Sequence, residues 1–190
     1  MVSQDVSAET PGAGALGSSP SSGILVLMSG SQWHRFYAST IVACPELLFS
    51  LLSDLPNYGR WLPPSEQYAG TTDVEPYPVR SGSRYHDGKP DEPGKDWWGS
   101  VVGFQRPGSL DFHHTIPVRQ LRATIDVHIH YSFEPEDAGT LVTRWLILDF
   151  RMPSVFRPLR ALVTSRFDRE NVRTMAAVKE YAEGRSSLAT

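Results

Sequence analysis

Residues 121–133, LRATIDVHIHYSF, alternate in character along their whole length, and this alternation decides how the chain folds. One set of alternate positions is apolar or aromatic throughout: Leu121, Ala123, Ile125, Val127, Ile129, Tyr131 and Phe133. The other set is polar: Arg122, Thr124, Asp126, His128, His130 and Ser132. Because successive side chains of a β-strand point to opposite faces, the pattern predicts a strand with one face in a core and one in solvent.

His128 and His130 belong to the polar set. Side chains two residues apart share a face of a strand, so two imidazoles in this spacing are suited to chelating one ion. Their face is predicted to point away from the core, and a catalytic zinc needs three protein ligands. The sequence has no spaced Cys/His or His/Glu motif to supply the others. We therefore expect no metal site.

The segments around this strand predict further antiparallel strands. Strand-like runs lie near 66–75, 80–87, 97–105, 109–117 and 140–150, and turn-forming stretches such as DGKPDEPGK, RPGS and EPEDAG separate them. A strand-like run, WHRFYASTIVA, begins at Trp33 and precedes them all. Between it and the others, PELLFSLLSDL predicts a helix that starts at Pro45, and PNYGRWLPP predicts a short helix or turn.

The last patterned segment, from about Ser154 to Glu183, predicts one long amphipathic helix that ends at Gly184. Its apolar stripe consists of Phe156, Leu159, Val163, Phe167, Met175, Val178 and Ala182. The order of elements predicts an α+β fold in which a curved antiparallel sheet of about seven strands wraps on the long C-terminal helix. A curved sheet packed on one helix leaves a cavity between the two layers.

The chain of 190 residues has room for one domain. Its first part is rich in Ser, Gly, Ala and Pro, which bury too little apolar surface to offset the entropy of ordering. We expect a disordered tail over residues 1–30, one domain over 31–184 and a flexible C-terminus over 185–190.

Charge and composition restrict the partners. The net charge of −3 offers no attraction for a phosphate backbone, so nucleic acid is not an expected partner. The single cysteine, Cys44, rules out an internal disulfide and fits a reducing compartment. The N-terminal apolar run ILVLM is too short to span a bilayer, and no Lys or Arg precedes Arg35 as a secretory signal would require. We expect a cytoplasmic protein without stable membrane insertion; its oligomeric state is left open.

Two polar residues are predicted to face the cavity. His114 shares its strand parity with Leu110, Phe112 and Ile116, and a buried neutral imidazole can orient a ligand or transfer a proton. Asn171 interrupts the apolar stripe of the helix, four residues after Phe167. For each residue the alternative is a hydrogen bond within the core.

Arg144 is the third candidate. The parity of Val142, Leu146 and Phe150 places Arg144 inward, where a permanently charged guanidinium requires a carboxylate, a phosphate or a polar ligand group. The opposite parity buries Trp145 instead and turns Asp149 inward. Aromatic residues complete the expected lining or mouth of the cavity: Trp61, Tyr85, Trp97, Trp98 and Tyr131.

From Trp33 to Glu183 the chain resembles the SRPBCC superfamily, which includes the birch pollen allergen, the START lipid-transfer domains and polyketide cyclase/dehydrase-like proteins. The resemblance rests on the element order and on three segments: ACPELLFSLLSDLPNYGRWLP, FEPEDAGTLVTRW and RFDRENVRTMAAVKEYAE. It implies a helix-grip fold whose apolar cavity binds hydrophobic small molecules. Some members catalyse cyclisation or dehydration without metal or organic cofactor, but the superfamily has no universal catalytic residues.

Three functional hypotheses follow. The chain is a cofactor-independent cyclase or dehydratase, in which His114 acts as the catalytic residue, or it is a non-catalytic carrier or sensor of a lipid or hydrophobic metabolite. A third possibility is an interaction protein whose cavity is filled by side chains. Several acid/base groups that converge on one cavity would favour the enzyme. The sequence shows scattered single groups instead, so binding of a hydrophobic ligand is the firmer expectation.

Overall fold

The computed structural model describes residues 25–29, 31–65, 68–88 and 96–187. Most of the predicted tail, residues 1–24 and 30, lies outside this range, as do residues 188–190. The elements are β1 (Leu25–Ser29), β2 (Gln32–Ile41), α1 (Pro45–Ser53), β3 (Thr71–Glu75), β4 (Arg84–Gly88), β5 (Asp96–Gln105), β6 (Ser109–Val118), β7 (Ala123–Glu136), β8 (Gly139–Arg151) and α2 (Arg160–Ser187). Short 3-10 helices span Leu55–Arg60, Arg119–Leu121 and Ser154–Leu159.

The strands form one antiparallel sheet of eight, in the order β1-β2-β8-β7-β6-β5-β4-β3. All neighbours in the sheet are also neighbours in sequence except β2 and β8, so the last strand returns to pair with the second. The sheet has one strand more than the predicted seven because β1 pairs with β2, with Leu27 opposite His34. This strand lies within the stretch that the sequence assigns to the tail.

Strand β7 has the predicted alternation except at Asp126, a member of the polar set that is buried and accepts a hydrogen bond from Thr115. Val127, Tyr131 and Phe133 are buried, whereas His128 and His130 are exposed on the opposite face. The register of β7 also places residues of its two neighbours, because His114 of β6 stands opposite Val127 and Arg144 of β8 stands opposite Tyr131. The inner face of the sheet therefore carries both polar candidates.

The inner face packs against both helices. From α1, the fully buried Phe49 contacts the rings of Phe104 and Phe133, at centroid distances of 4.9 and 5.8 Å. The C-terminal half of α2 adds Met175, Val178 and Ala182 to the same core. A second apolar cluster lies under the N-terminal half of α2 and contains Trp33, Ile125, Val127, Leu146, Leu148 and Phe150.

Helix α2 differs from its prediction at both ends. It continues through Gly184 to Ser187, because Gly184 does not adopt the left-handed backbone that would end a helix. At the other end, Leu159 belongs to a 3-10 helix and is 39% exposed, so the buried stripe starts further along the helix than predicted. No described helix combines the length and the apolarity needed to cross a bilayer.

Helix α2 is tied to β2 by polar contacts, which we call the latch: Arg35, Tyr37 and Asp168. Arg35 donates from Nε and Nη2 to the two carboxylate oxygens of Asp168, each at 2.7 Å, and Tyr37 donates its hydroxyl to the same carboxylate at 2.5 Å. Further along the helix, Lys179 donates to the carbonyl of Thr40 at 2.6 Å. The helix is thereby held over the sheet on its β2 side.

Candidate functional site

A cavity of about 140 Å³ lies between the inner face of the sheet and α2. Strands β3 to β8, helix α2 and the segment around the first 3-10 helix all contribute to its wall. The lining residues are Leu55, Tyr58, Leu62, Tyr68, Thr71, Tyr85, Asp87, Trp97, Phe112, His114, Ile116, Val127, Ile129, Tyr131, Arg144, Leu146, Phe167, Glu170, Asn171 and Thr174. The wall is largely aromatic and aliphatic, with a few polar groups inserted in it, which is the usual composition of a small-molecule site.

Six of the eight residues that the sequence predicts to line the cavity do so: Tyr85, Trp97, His114, Tyr131, Arg144 and Asn171. Five of these come from five different strands and Asn171 comes from the helix. Alternation along their strands placed His114, Tyr131 and Arg144 on an inward face, and the strand register brings them together. Their role in binding a ligand remains a prediction.

Two of the three predicted tryptophans, Trp61 and Trp98, lie elsewhere. Trp98 is 48% exposed on the outer face of the sheet, where it packs against His86 at 5.1 Å between ring centroids; the prediction that it lines the cavity is wrong. Neighbouring strand residues alternate, so Trp97 takes the inward position. Trp61 is buried in the core against Tyr58, at 4.8 Å between rings, and is not part of the cavity wall.

His114 is buried beside the indole of Trp97, with nearly parallel rings 6.1 Å apart. Burial, reinforced by His113 and Arg144, lowers the pKa of His114 to about 3. The imidazole is therefore neutral at physiological pH. Its Nδ1 and the indole Nε1 of Trp97 both lack a hydrogen-bond partner among the described residues.

Arg144 is also buried, as the inward parity of β8 predicts. Its Nη1 donates to the hydroxyl of Tyr131, and its guanidinium carbon lies 5.0 Å from the centre of the Tyr131 ring. Within the part of the chain that the structure describes, the Nε of Arg144 has no partner.

Asn171 lies at the cavity wall and also forms a hydrogen bond within the protein, so the two arrangements that the sequence left open occur together. Its amide nitrogen donates to the backbone carbonyl of Phe167 at 2.6 Å, which is a hydrogen bond within the helix. Its carbonyl oxygen is buried and finds no donor among the described residues. One half of the amide is thus structural, and the other half is available at the cavity wall.

Asp87 is a cavity residue that the sequence analysis missed. It accepts a hydrogen bond from Thr71 at 2.5 Å, and burial raises the pKa of its carboxyl to about 6, although Thr71 and His86 oppose the shift. A sequence signal for it does exist. Asp87 follows Tyr85 by two residues on the same strand and therefore shares its inward face.

Tyr85 reaches the cavity because Gly99 leaves room for it. The two residues stand opposite each other in β4 and β5, and His114 stands opposite Gly99 on the other side. A β-carbon at Gly99 would lie 2.2 Å from the Tyr85 ring. Burial raises the pKa of the Tyr85 hydroxyl well above its ordinary value, so the phenol stays protonated.

The remaining histidines lie on the outer face of the sheet. The rings of His113 and His128 stack at 4.4 Å between centroids, and His130 is hydrogen-bonded to Asp111 at 2.5 Å. In the described ranges, no group of three or more His, Cys, Asp or Glu side chains is arranged to hold a metal ion.

Comparison with solved structures shows the same fold. The aromatase/cyclase Zhui from Streptomyces sp. R1128 superposes with a TM-score of 0.64 at 16% identity, over 82% of this chain and 96% of that one. The di-domain ARO/CYC StfQ from the steffimycin biosynthetic pathway gives 0.63 at 11% identity, over 82% of this chain; the match spans about half, 52%, of the di-domain protein. A protein from Arthrobacter aurescens gives 0.54 at 17% identity, over 83% and 91% of the two chains.

Sequence comparison identifies the family. No curated protein matches the chain. The family model for polyketide cyclase / dehydrase and lipid transport matches residues 34–183, which comprise most of the chain and all of the cavity wall. The helix-grip fold and the resemblance to the SRPBCC superfamily agree with this match, which supports a role in binding hydrophobic small molecules. The chain belongs to the polyketide cyclase/dehydrase and lipid transport family.

Proposed function

We propose that this protein is a cofactor-independent cyclase or dehydratase that acts on a compact, oxygenated hydrophobic molecule held in the cavity. One observation carries the proposal: His114, Asp87, Tyr85 and Tyr131 all line a single cavity. A carrier needs only an apolar cavity, whereas a reaction needs acid/base groups around its reacting atoms.

The size of the cavity supports a compact substrate. A cavity of about 140 Å³ is comparable to protein cavities that hold one benzene-sized molecule. Sites for drug-sized ligands are usually about 300–1,000 Å³. A one-ring or two-ring substrate fits this space better than a long-chain lipid, and this favours the enzyme over the lipid carrier.

His114 transfers the proton. In dehydration of a β-hydroxy ketone, the C–H bond beside the carbonyl breaks and its proton passes to the unpartnered Nδ1 of His114. The β C–O bond then breaks, the departing oxygen takes that proton, and one water leaves without any oxidation or reduction. The protonated hydroxyl of Tyr85 donates a hydrogen bond to the enolate oxygen that forms between the two steps.

The test uses two one-ring substrates, 4-hydroxy-4-phenylbutan-2-one and its para-carboxy derivative, whose dehydration produces a conjugated enone that absorbs in the near ultraviolet. The wild-type protein is expected to accelerate dehydration of at least one of them. His114→Ala is expected to lower turnover by about 10²–10⁴-fold while binding persists, because it removes only the proton-transfer group.

His128→Ala is the matched control, since His128 lies on the outer face and its removal leaves the cavity intact. Full turnover in His114→Ala would remove His114 from the mechanism. Binding of both compounds without any turnover in the wild-type protein would favour the carrier.

A further inference from the structure

Arg144 brings a positive charge to the cavity wall without an ion-pair partner among the described residues. Arg144 is 8% exposed, and within the described residues no carboxylate forms an ion pair with its guanidinium. Of the two carboxyls on the cavity wall, Glu170 pairs with Arg173 at 2.5 Å. Asp87, whose pKa of about 6 leaves it largely ionised at pH 7, is hydrogen-bonded to Thr71 and not to Arg144. A guanidinium cannot lose its proton in a protein, so its charge is permanent.

The groups around Arg144 are neutral. Its charge acts on the buried His114 and on the phenols of Tyr37, Tyr58, Tyr85 and Tyr131. Burial raises the pKa of these phenols and lowers that of His114, so none of them carries a negative charge at neutral pH. A buried cation among neutral groups is costly unless an anion joins it.

Two hydrogen-bond donors at this point lack an acceptor among the described residues. The Nε–H of Arg144 has no partner in the described part of the chain. Tyr131 accepts from Nη1 of Arg144, so its own hydroxyl hydrogen remains to be donated, and no acceptor for it occurs among the described residues. Both residues line the cavity. A positive charge with two adjacent donors is the arrangement that binds the two oxygens of a carboxylate.

We infer that the molecule bound in this cavity is an organic acid whose carboxylate pairs with Arg144 and Tyr131, while its apolar body lies against the aromatic wall. This inference rests on the proposed function and deepens it by naming the substrate class. A substrate with a free carboxylate is distinct from a neutral ketone, ester or hydrocarbon of the same size.

The test compares two acids, benzoate and trans-cinnamate, with their primary amides, benzamide and trans-cinnamamide, by isothermal titration calorimetry at pH 7. Each amide matches its acid in shape but carries no charge. The wild-type protein is expected to bind each acid at least about tenfold more tightly than its amide, because a charge-assisted pair replaces a neutral hydrogen bond.

Arg144→Met is expected to abolish this preference while retaining binding of the amides, since methionine keeps the apolar stem and removes the charge. Tyr131→Phe is expected to reduce the preference by a smaller factor. Arg166→Met is the matched control, because Arg166 is exposed on α2, away from the cavity wall, and its loss leaves the preference unchanged.

The possible failures are distinguishable. Equal affinity of the wild-type protein for acid and amide would overturn the inference and leave the proposed function standing. A preference that survives in Arg144→Met would also overturn it, since another group would then bind the carboxylate. Absence of binding for all four compounds would contradict the inference together with the proposed function.

Discussion

Arg35 and Arg144 stand on neighbouring strands under the same helix, yet their surroundings differ. Arg35 is held by both oxygens of Asp168, whereas Arg144 contacts a neutral phenol. The pKa values of the carboxyls in the two regions also differ. Burial raises the pKa of Asp168, but hydrogen bonds from Arg35 and Tyr37 outweigh it and hold that pKa below its ordinary value; burial raises the pKa of Asp87 to about 6. The cation of the latch is paired with a carboxylate, whereas Arg144 has no ion-pair partner among the described residues, and we assign that place to a ligand.

Removing one partner of the latch should have the largest effect on stability. Arg35→Met leaves the carboxylate of Asp168 partly buried without its cation, and we expect a loss of about 2–3 kcal/mol in the free energy of unfolding, somewhat below that for a fully buried pair. Urea denaturation at pH 7 measures it. A change below about 0.5 kcal/mol would place the latch among ordinary surface ion pairs and remove the contrast between the two arginines.

A methyl group at Gly99 should damage the cavity rather than the latch. In Gly99→Ala the new β-carbon overlaps the ring of Tyr85, which must move, and we expect a destabilisation of about 1–3 kcal/mol together with loss of ligand binding. Gly108→Ala is the control, because the nearest atom to its added carbon is 3.7 Å away. If Gly99→Ala bound ligand as the wild type does, Tyr85 would have no part in shaping the site.

The raised pKa of Asp87 predicts a stability that depends on pH. The carboxyl of Asp87 binds its proton more tightly in the folded protein than in the unfolded chain. Asp87 therefore does not lower the free energy of unfolding below about pH 4, and it lowers that free energy increasingly as the pH rises through about 6. Asp87→Asn keeps an acceptor for Thr71 and removes the charge. We expect it to stabilise the protein by about 1–2 kcal/mol at pH 8 and to have no effect at pH 4. Equal effects at both pH values would mean that burial does not penalise the carboxylate.

Arg144→Met should have the smallest effect on stability, in contrast to Arg35→Met. Replacing an unpaired buried cation by an apolar side chain is often neutral or stabilising, so we expect a change within about 1 kcal/mol in either direction in the absence of ligand. The same urea assay measures both variants. A loss as large as that of Arg35→Met would show that Arg144 has a structural role.

The fold and most of the cavity residues were predictable because both depend on alternation along strands. The inward positions of His114, Tyr131 and Arg144 follow from the pattern of their own strands, and the exposure of His128 follows in the same way. Trp98 was misplaced because two adjacent tryptophans do not reveal which of them points inward.

The interactions between elements were less accessible to sequence analysis. The pairing of Asp168 with Arg35 joins residues 133 positions apart, and the charged stretch around it looks like a solvated helix face. Asp87 was overlooked because a lone carboxyl beside a glycine at the end of a strand is typical of a turn. The volume of the cavity depends on how all these elements pack, which no single segment encodes.

Native mass spectrometry of the protein purified from its own host tests the central claim most directly. Gentle ionisation preserves a bound molecule, and denaturing extraction then releases it for identification. The predicted result is a bound organic acid of one or two rings. A protein that carries nothing, and that also binds no member of a panel of fatty acids, sterols, aromatic acids and aromatic polyketides, would contradict the claim that this cavity is a ligand site.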